Sequence, residues 1–183
     1  MLFRSFPEAI EGELLFCHQD NLNTDGIYPG KYTYNDEFTA AQQAEVAMEN
    51  YDPAWQELAR EGDILVGGFN FGTGSSREQA ATALKHRGIR MVLAGSLSET
   101  YARNAINNGF LVIEAPALVT MLKQRFGTDA LTRRTGLVAR VDFRRSEIAI
   151  DGTTHAIDPV GPAAQEIILL GGLEAWVRKN IAS

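Results

Sequence analysis

Short apolar runs alternate with longer segments of helical periodicity along the chain, and stretches rich in Gly, Asn, Asp and Pro separate them. A short apolar run bounded by turn residues predicts a buried strand, whereas apolar residues three and four positions apart predict a helix. By this pattern we expect strands at residues 13–18, 63–66, 89–94, 110–113, 137–143 and 147–150, and helices at 40–50, 76–87, 99–107, 116–126, 162–170 and 173–180. Residues 19–34 are predicted to form a long loop, and such a loop inside a compact domain is usually functional.

Strands and helices alternate after residue 60, and this order favours an α/β domain whose sheet is at least partly parallel. The strands at 137–143 and 147–150 instead have the pattern of an antiparallel hairpin. A chain of 183 residues is long enough to bury a sizeable core. Because no repeat or low-complexity linker divides the chain, residues 1–183 are predicted to form one domain.

The charge balance narrows the classes of function. Lys and Arg total 17 against 23 Asp and Glu, so the net charge of −6 argues against a nucleic-acid partner. The residues nearest to a basic cluster, which we expect to form a solvated or partner-facing surface, are Arg133, Arg134, Arg140, Arg144 and Arg145. No apolar run approaches the length of a membrane span, so no membrane partner is expected. Glu8 and Glu11 follow the opening residues closely, so we expect no secretory signal peptide.

Cys17 is the single cysteine of the chain. A disulfide within the chain is therefore impossible, which favours a reducing, cytosol-like compartment. The three histidines do not have the spacing of metal ligands. An iron–sulfur cluster that needs several cysteine ligands cannot be held by this chain alone.

A glycine-rich segment at residues 70–78 carries the chemistry that stands out, because Ser75, Ser76 and Arg77 follow Gly74 directly. Three interpretations are open. The first is a capping box without chemistry, since Ser75 and Ser76 each precede a Glu or Gln by three positions. The second is a phosphate or dinucleotide loop, but the required Gly and Lys order is absent. The third is catalytic, with a serine as base and Arg77 as its charge partner and as a clamp for a substrate carboxylate.

A second polar loop, residues 23–32, contains Asp25, Lys31 and two tyrosines. Its Asp-Gly and Pro-Gly pairs are common in plain surface turns, which is one interpretation. The other is a substrate loop in which Lys31 meets a carboxylate and Asp25 orients a neighbouring donor. The two loops are best judged together.

Together these segments resemble the swivel domain, or small subunit, of the aconitase family of hydro-lyases. The resemblance rests on Thr24-Asp25, on residues 29–32, on the Gly-Ser-Ser-Arg-Glu motif at 74–78 and on residues 103–109, in that family's order. The chain looks most like the homoaconitase branch, through residues 21–34, 48–52, 70–84, 131–136 and 171–177. Gln79 stands where many other members have histidine, which also favours that branch.

The resemblance implies a swivelling β/β/α domain, with a mixed sheet and flanking helices, that closes over its substrate. It implies a reversible dehydration of a hydroxy tricarboxylic acid to an enoic acid, followed by rehydration to the isomer. Ser75 would be the base, and Ser76 and Arg77 would stabilise its alkoxide and hold a substrate carboxylate. Further substrate contacts would come from Asp25, Lys31, Thr33 and Gly74, with Asp25 and Lys31 on the opposite wall.

The same resemblance implies a four-iron four-sulfur cluster with three cysteine ligands. Because this chain has one cysteine, the cluster is expected on a partner large subunit or domain.

The polar segment 31–34 favours a homocitrate-type substrate of lysine biosynthesis over isopropylmalate, whose branched alkyl group needs an apolar wall. Two alternatives remain: the small subunit of a 3-isopropylmalate dehydratase of leucine biosynthesis, and a non-catalytic anion-binding or assembly module. The expected location is the cytoplasm, or the mitochondrion if the chain is a domain of a fungal enzyme.

Overall fold

A computed structural model describes residues 5–181, so residues 1–4, on which part of the signal-peptide expectation depends, lie outside the described residues, as do 182 and 183. The strands are β1 Ala9–Cys17, β2 Ile64–Gly67, β3 Met91–Ala94, β4 Val112–Glu114, β5 Thr132–Asp142, β6 Glu147–Ile150 and β7 Thr153–Ala156. The helices are α1 Thr24–Ile27, α2 Ala40–Val46, α3 Trp55–Leu58, α4 Gln79–His86, α5 Glu99–Asn107, α6 Pro116–Phe126, α7 Pro162–Leu169 and α8 Leu173–Ile181. No helix within the described residues is long and apolar enough to cross a membrane.

The strands form one seven-stranded sheet in the order β4-β3-β2-β1-β5-β6-β7. Pairing is parallel from β4 to β1 and antiparallel from β1 to β7. The mixed sheet with flanking helices is therefore confirmed. Because neighbouring parallel strands point the same way, the carboxyl ends of β1 and β2 meet at one edge of the sheet, where ligands of α/β proteins commonly bind.

The core lies on both faces of the parallel half. Consecutive residues of a strand point to opposite faces, so Leu15 and Leu65 pack in one apolar cluster while Leu14 and Ile64 pack in the other. Helices α4 and α5 cover the first face and α6 covers the second. Strands β2 and β3 contain no polar side chain because both of their faces are buried.

Several elements differ from the sequence pattern. Strand β5 begins at Thr132 rather than at the predicted residue 137. The sequence pattern missed its first half because that half is polar and contains Gly136, which has a positive φ of 71°. Helix α2 ends at Val46, shortly before Met48, which has a φ of 63°. The short elements α1, α3 and β7 were not predicted, since each has only four residues and too little sequence to show a period.

Arg134 does not belong to a solvated surface, and this part of the prediction is wrong. Its side chain is only 14% exposed, and its guanidinium lies 2.7 and 3.0 Å from the two carboxylate oxygens of Asp63, which is buried. It also donates to Glu13 at 2.5 Å and to the Leu58 carbonyl at 2.7 Å. The hydrogen bonds to Asp63 raise the pKa of Arg134 above its usual range, against the effect of burial. The other four arginines each form an ion pair with a carboxylate.

Candidate active site

The two polar loops of the sequence lie side by side at the carboxyl ends of β1 and β2. Main-chain hydrogen bonds continue between them beyond the strands: Asn21 donates to Phe69 at 2.8 Å, Gly72 to Leu22 at 2.8 Å, and Thr24 to Thr73 at 2.9 Å. We refer to these three hydrogen bonds as the loop ladder. It holds residues 21–24 against residues 69–73, and the two segments run parallel to each other, as β1 and β2 do.

Glycine is required at two positions of the segment before the serines. Gly72 has a φ of 78°, and a β-carbon there would lie 2.2 Å from the ring of Tyr101, which is buried in the core. Gly74 has a φ of 101°, a conformation that other residues rarely adopt. These two residues turn the chain so that Ser75 comes back toward Thr24.

Neither serine caps a helix. Helix α4 begins at Gln79, its N-cap Glu78 makes no side-chain cap hydrogen bond, and Ser75 lies outside the helix. The capping-box interpretation of Ser75 and Ser76 is therefore wrong. The Ser75 hydroxyl instead lies 3.0 Å from the hydroxyl of Thr24, the first residue of α1.

Arg77 is held in place by α1 and the residue after it. Its Nη1 donates to the Tyr28 carbonyl at 2.6 Å and to Asp25 Oδ1 at 3.2 Å, and the side chain is 15% exposed. Asp25 accepts a second hydrogen bond from the Gly30 amide at 2.7 Å. That amide, helped by Arg77 and Asn50, holds the pKa of Asp25 below its usual range. The guanidinium is thus oriented before any ligand arrives.

Asn50 is a residue of this arrangement that sequence reasoning missed. Its amide donates to Asp25 Oδ2 at 3.1 Å and to the Asp25 carbonyl at 3.2 Å. It reaches that position because Met48 donates its amide to the Ile27 carbonyl at 2.7 Å and turns the chain with a positive φ. The signal was present in the sequence, since residues 48–52 matched the family, but the match assigned no role to Asn50.

A pocket of about 240 Å³ adjoins the serines and is lined by Gly30, Thr33, Tyr34, Ser75, Ser76 and Arg77. The Thr33 hydroxyl is buried without a hydrogen-bond partner in residues 5–181. Its main chain is tied to α4, because Gln79 Nε2 donates to the Thr33 carbonyl at 3.4 Å. Tyr34 is 93% exposed. The structure therefore brings four of the predicted site residues to one pocket: Thr33, Ser75, Ser76 and Arg77.

The other three predicted residues lie next to this pocket rather than in its lining. Lys31 forms an ion pair with Glu49 at 2.7 Å, and this hydrogen bond raises the pKa of the lysine. Asp25 lines an adjoining cavity of about 250 Å³ together with Asn50. Gly74 is exposed immediately before Ser75.

The chain does not fit an iron–sulfur cluster. Cys17 is fully buried at the end of β1, and burial raises the pKa of its thiol to about 12, far from the thiolate that a metal needs. The Trp55 indole N–H and the Thr132 hydroxyl are buried beside this thiol, and they offset part of the effect of burial on its pKa. No group of three or more His, Cys, Asp or Glu in residues 5–181 has an arrangement that would hold a metal ion.

The pocket brings hydroxyl groups and a guanidinium together. The Ser75 hydroxyl and the fixed guanidinium of Arg77 line the same pocket, and oriented donors of this kind stabilise a carboxylate or another anionic oxygen. This set of groups suits an anionic ligand that carries carboxylate groups.

Comparisons with known proteins identify the family to which the chain is similar. The family model of the aconitase C-terminal domain matches residues 3–118. The homoaconitases named as mitochondrial from Neurospora crassa and Candida albicans are 51% and 47% identical to this chain, over 96% of it in each case, which is 23% and 27% of their own length. The chain thus spans about a quarter of the length of these curated relatives.

A solved structure resembles the chain almost from end to end. It is the 3-isopropylmalate dehydratase of Methanocaldococcus jannaschii, with a TM-score of 0.78 and 31% sequence identity. The match covers 95% of this chain and 96% of that one. The arrangement of the mixed sheet and its flanking helices is therefore shared with that protein.

Proposed function

This chain belongs to the family of aconitase C-terminal domains, and we propose on that premise that it is the swivel domain or small subunit of a hydro-lyase. Its substrates are homocitrate-type hydroxy tricarboxylates, which the enzyme dehydrates and rehydrates in lysine biosynthesis. The observation that carries the proposal is that Ser75 and Arg77 line one pocket while Asp25 and Tyr28 fix the guanidinium.

The residues of this chain act on the proton and on the carboxylates. Ser75, as an alkoxide, takes the carbon-bound proton of the substrate and becomes a neutral hydroxyl. The electron pair of the broken C–H bond forms the C=C bond of the enoic acid, and the C–O bond on the neighbouring carbon breaks, so that its hydroxyl leaves as hydroxide. Rehydration of the enoic acid reverses these roles, and Ser75 returns the proton. Arg77 stabilises the alkoxide and binds a substrate carboxylate with the N–H groups that Asp25 and Tyr28 do not use. Ser76 adds a hydroxyl contact, and Thr33 forms part of the same wall.

The remaining proposed residues act at the margin of the pocket. Asp25 orients Arg77 through a direct hydrogen bond. The ion pair of Lys31 with Glu49 is exposed and therefore weak. Lys31 can exchange Glu49 for a further carboxylate of the substrate. Gly74 gives the chain the turn that presents Ser75.

The family's four-iron four-sulfur cluster lies, by this proposal, on a partner large subunit or on a second domain of a longer chain. The support is the poor fit of buried Cys17 and the greater length of the curated relatives. The names of those relatives include the mitochondrion, so we propose that location for a fungal enzyme and the cytoplasm otherwise.

The test is reconstitution. The purified chain is assayed alone and together with the cluster-bearing partner, with homocitrate-type substrates and with isopropylmalate in parallel. We expect no turnover by the chain alone, and turnover of the homocitrate-type acids by the complex. Turnover without a partner would contradict the division of labour. Preference for isopropylmalate would instead favour the second candidate function, for which the likeness to the Methanocaldococcus jannaschii dehydratase is the supporting observation.

Arg77→Lys is expected to raise the KM of the assembled enzyme by about 10- to 100-fold, because an ammonium cannot reproduce the charge-assisted hydrogen bonds of the planar guanidinium. Steady-state kinetics on the complex measures this effect. A matched control is Arg90→Lys, since Arg90 is exposed and precedes β3, at the opposite end of the strands from the pocket. An unchanged KM in Arg77→Lys would argue against a carboxylate clamp.

A further inference from the structure

The hydroxyls of Thr24 and Ser75 form a hydrogen bond to each other. Their oxygens are 3.0 Å apart, and this is the one hydrogen bond of either side chain within residues 5–181. Thr24 is 3% exposed. Its amide donates to Thr73 and its carbonyl accepts from Tyr28, so its main chain is fixed on both sides.

The direction of this hydrogen bond follows from the state of Ser75. A protonated serine can either donate or accept, but an alkoxide can only accept. The Thr24 hydroxyl has no other acceptor among the described residues, so it donates to Ser75 when Ser75 is ionised. A donor whose main chain is already fixed stabilises the alkoxide without further reorganisation.

A purely structural role for the hydroxyl pair is the competing explanation. The loop ladder already joins the two segments through three main-chain hydrogen bonds, at 2.8 to 2.9 Å. A further bond between hydroxyls at the edge of the pocket adds little to that connection. It does, however, place a donor directly on the atom that must carry negative charge.

We propose that Thr24 is a positioning residue that donates a hydrogen bond to the Ser75 alkoxide and thereby makes Ser75 a stronger acid in the free enzyme and a correctly oriented base. This inference rests on the proposed function. It adds a donor that is supplied by α1, so the same short helix serves Ser75 through Thr24 and Arg77 through Asp25.

The test compares Thr24→Val and Thr24→Ser in the assembled enzyme. Valine keeps the branched shape and removes the donor, whereas serine keeps the donor. We expect Thr24→Val to lower kcat by about 10- to 100-fold with KM within twofold of the wild type, and Thr24→Ser to restore most of the rate. The control is Thr82→Val, which removes a hydroxyl hydrogen bond of 3.3 Å to Gln43 away from the pocket and should leave kcat unchanged.

Two results would overturn the inference: wild-type kcat in Thr24→Val, or a combined change in kcat and KM that Thr24→Ser does not reverse. Assembly is checked by size-exclusion chromatography, and Thr24→Ala replaces the valine variant if that variant does not assemble. An inactive wild-type complex would refute the proposed function itself, and this inference with it. Wild-type activity that is lost in Ser75→Ala but kept in Thr24→Val would refute the inference alone.

Discussion

Ser75→Ala is expected to lower kcat of the assembled enzyme by about 10⁴-fold, which is the upper end of the range for loss of a general base. The alanine variant retains the pocket, the guanidinium of Arg77 and the loop ladder, because the Ser75 side chain takes part in none of them except as one wall. Substrate binding should therefore survive, with KM changed far less than kcat. The measurement is steady-state kinetics together with chromatography to verify that the complex forms.

Ser98→Ala is the matched control for this experiment. Ser98 precedes α5 without a side-chain cap hydrogen bond, so its hydroxyl can be removed at little cost. We expect wild-type turnover from it. If Ser75→Ala also kept turnover near the wild-type level, Ser75 would not be the base, and the anion-binding or assembly module would become the better reading of this loop.

Arg134→Met should lower the free energy of unfolding by about 3–5 kcal/mol, because removing one partner of a buried ion pair leaves the other charge uncompensated. The charge left behind is that of Asp63, whose side chain is 4% exposed and whose carboxylate receives two hydrogen bonds from Arg134. Methionine keeps much of the apolar stem, so the loss reports the charge rather than a cavity. Urea unfolding of the chain measures it as a lower midpoint at an unchanged slope.

The control for this variant is the neighbouring residue. Arg133 is 36% exposed and pairs with Asp129, which is 79% exposed, so Arg133→Met should cost less than about 1 kcal/mol. Adding Asp63→Asn to Arg134→Met should recover part of the loss, because the buried charge is then removed as well. Equal effects of the two arginine variants would show that the Arg134 cluster does not stabilise the fold.

The candidate site shows what local sequence patterns can and cannot predict. The spacing Ser/Thr-x-x-Glu/Gln occurs at Thr39 and at Ser75. At Thr39 it forms a capping box with Gln42 at the start of α2. At Ser75 it does not, because the hydroxyl is bound by Thr24, which is 51 positions away in the chain. The pattern is the same, and a tertiary contact decides between the two outcomes.

The same reason explains the other differences. The resemblance correctly predicted a mixed sheet with flanking helices, and the structure places Ser75, Ser76, Arg77 and Thr33 around one pocket. The family match includes Asn50 but does not give its partner, and the ion pairs of Arg134 have no local signal, since the partners of both residues lie far away in sequence. Hydrophobic periodicity predicts which face of a strand is buried, but it does not contain the information on which distant polar groups meet.

The loop ladder makes the constellation self-contained. The loop ladder joins the two segments, and side-chain hydrogen bonds then join Thr24 to Ser75 and Asp25 to Arg77, all within one polypeptide. These four residues can therefore keep the same relative positions in a domain of a longer enzyme and in a separate polypeptide. Both arrangements occur among the proteins similar to it, since the fungal homoaconitases are about four times as long and the matched archaeal chain is almost the same length.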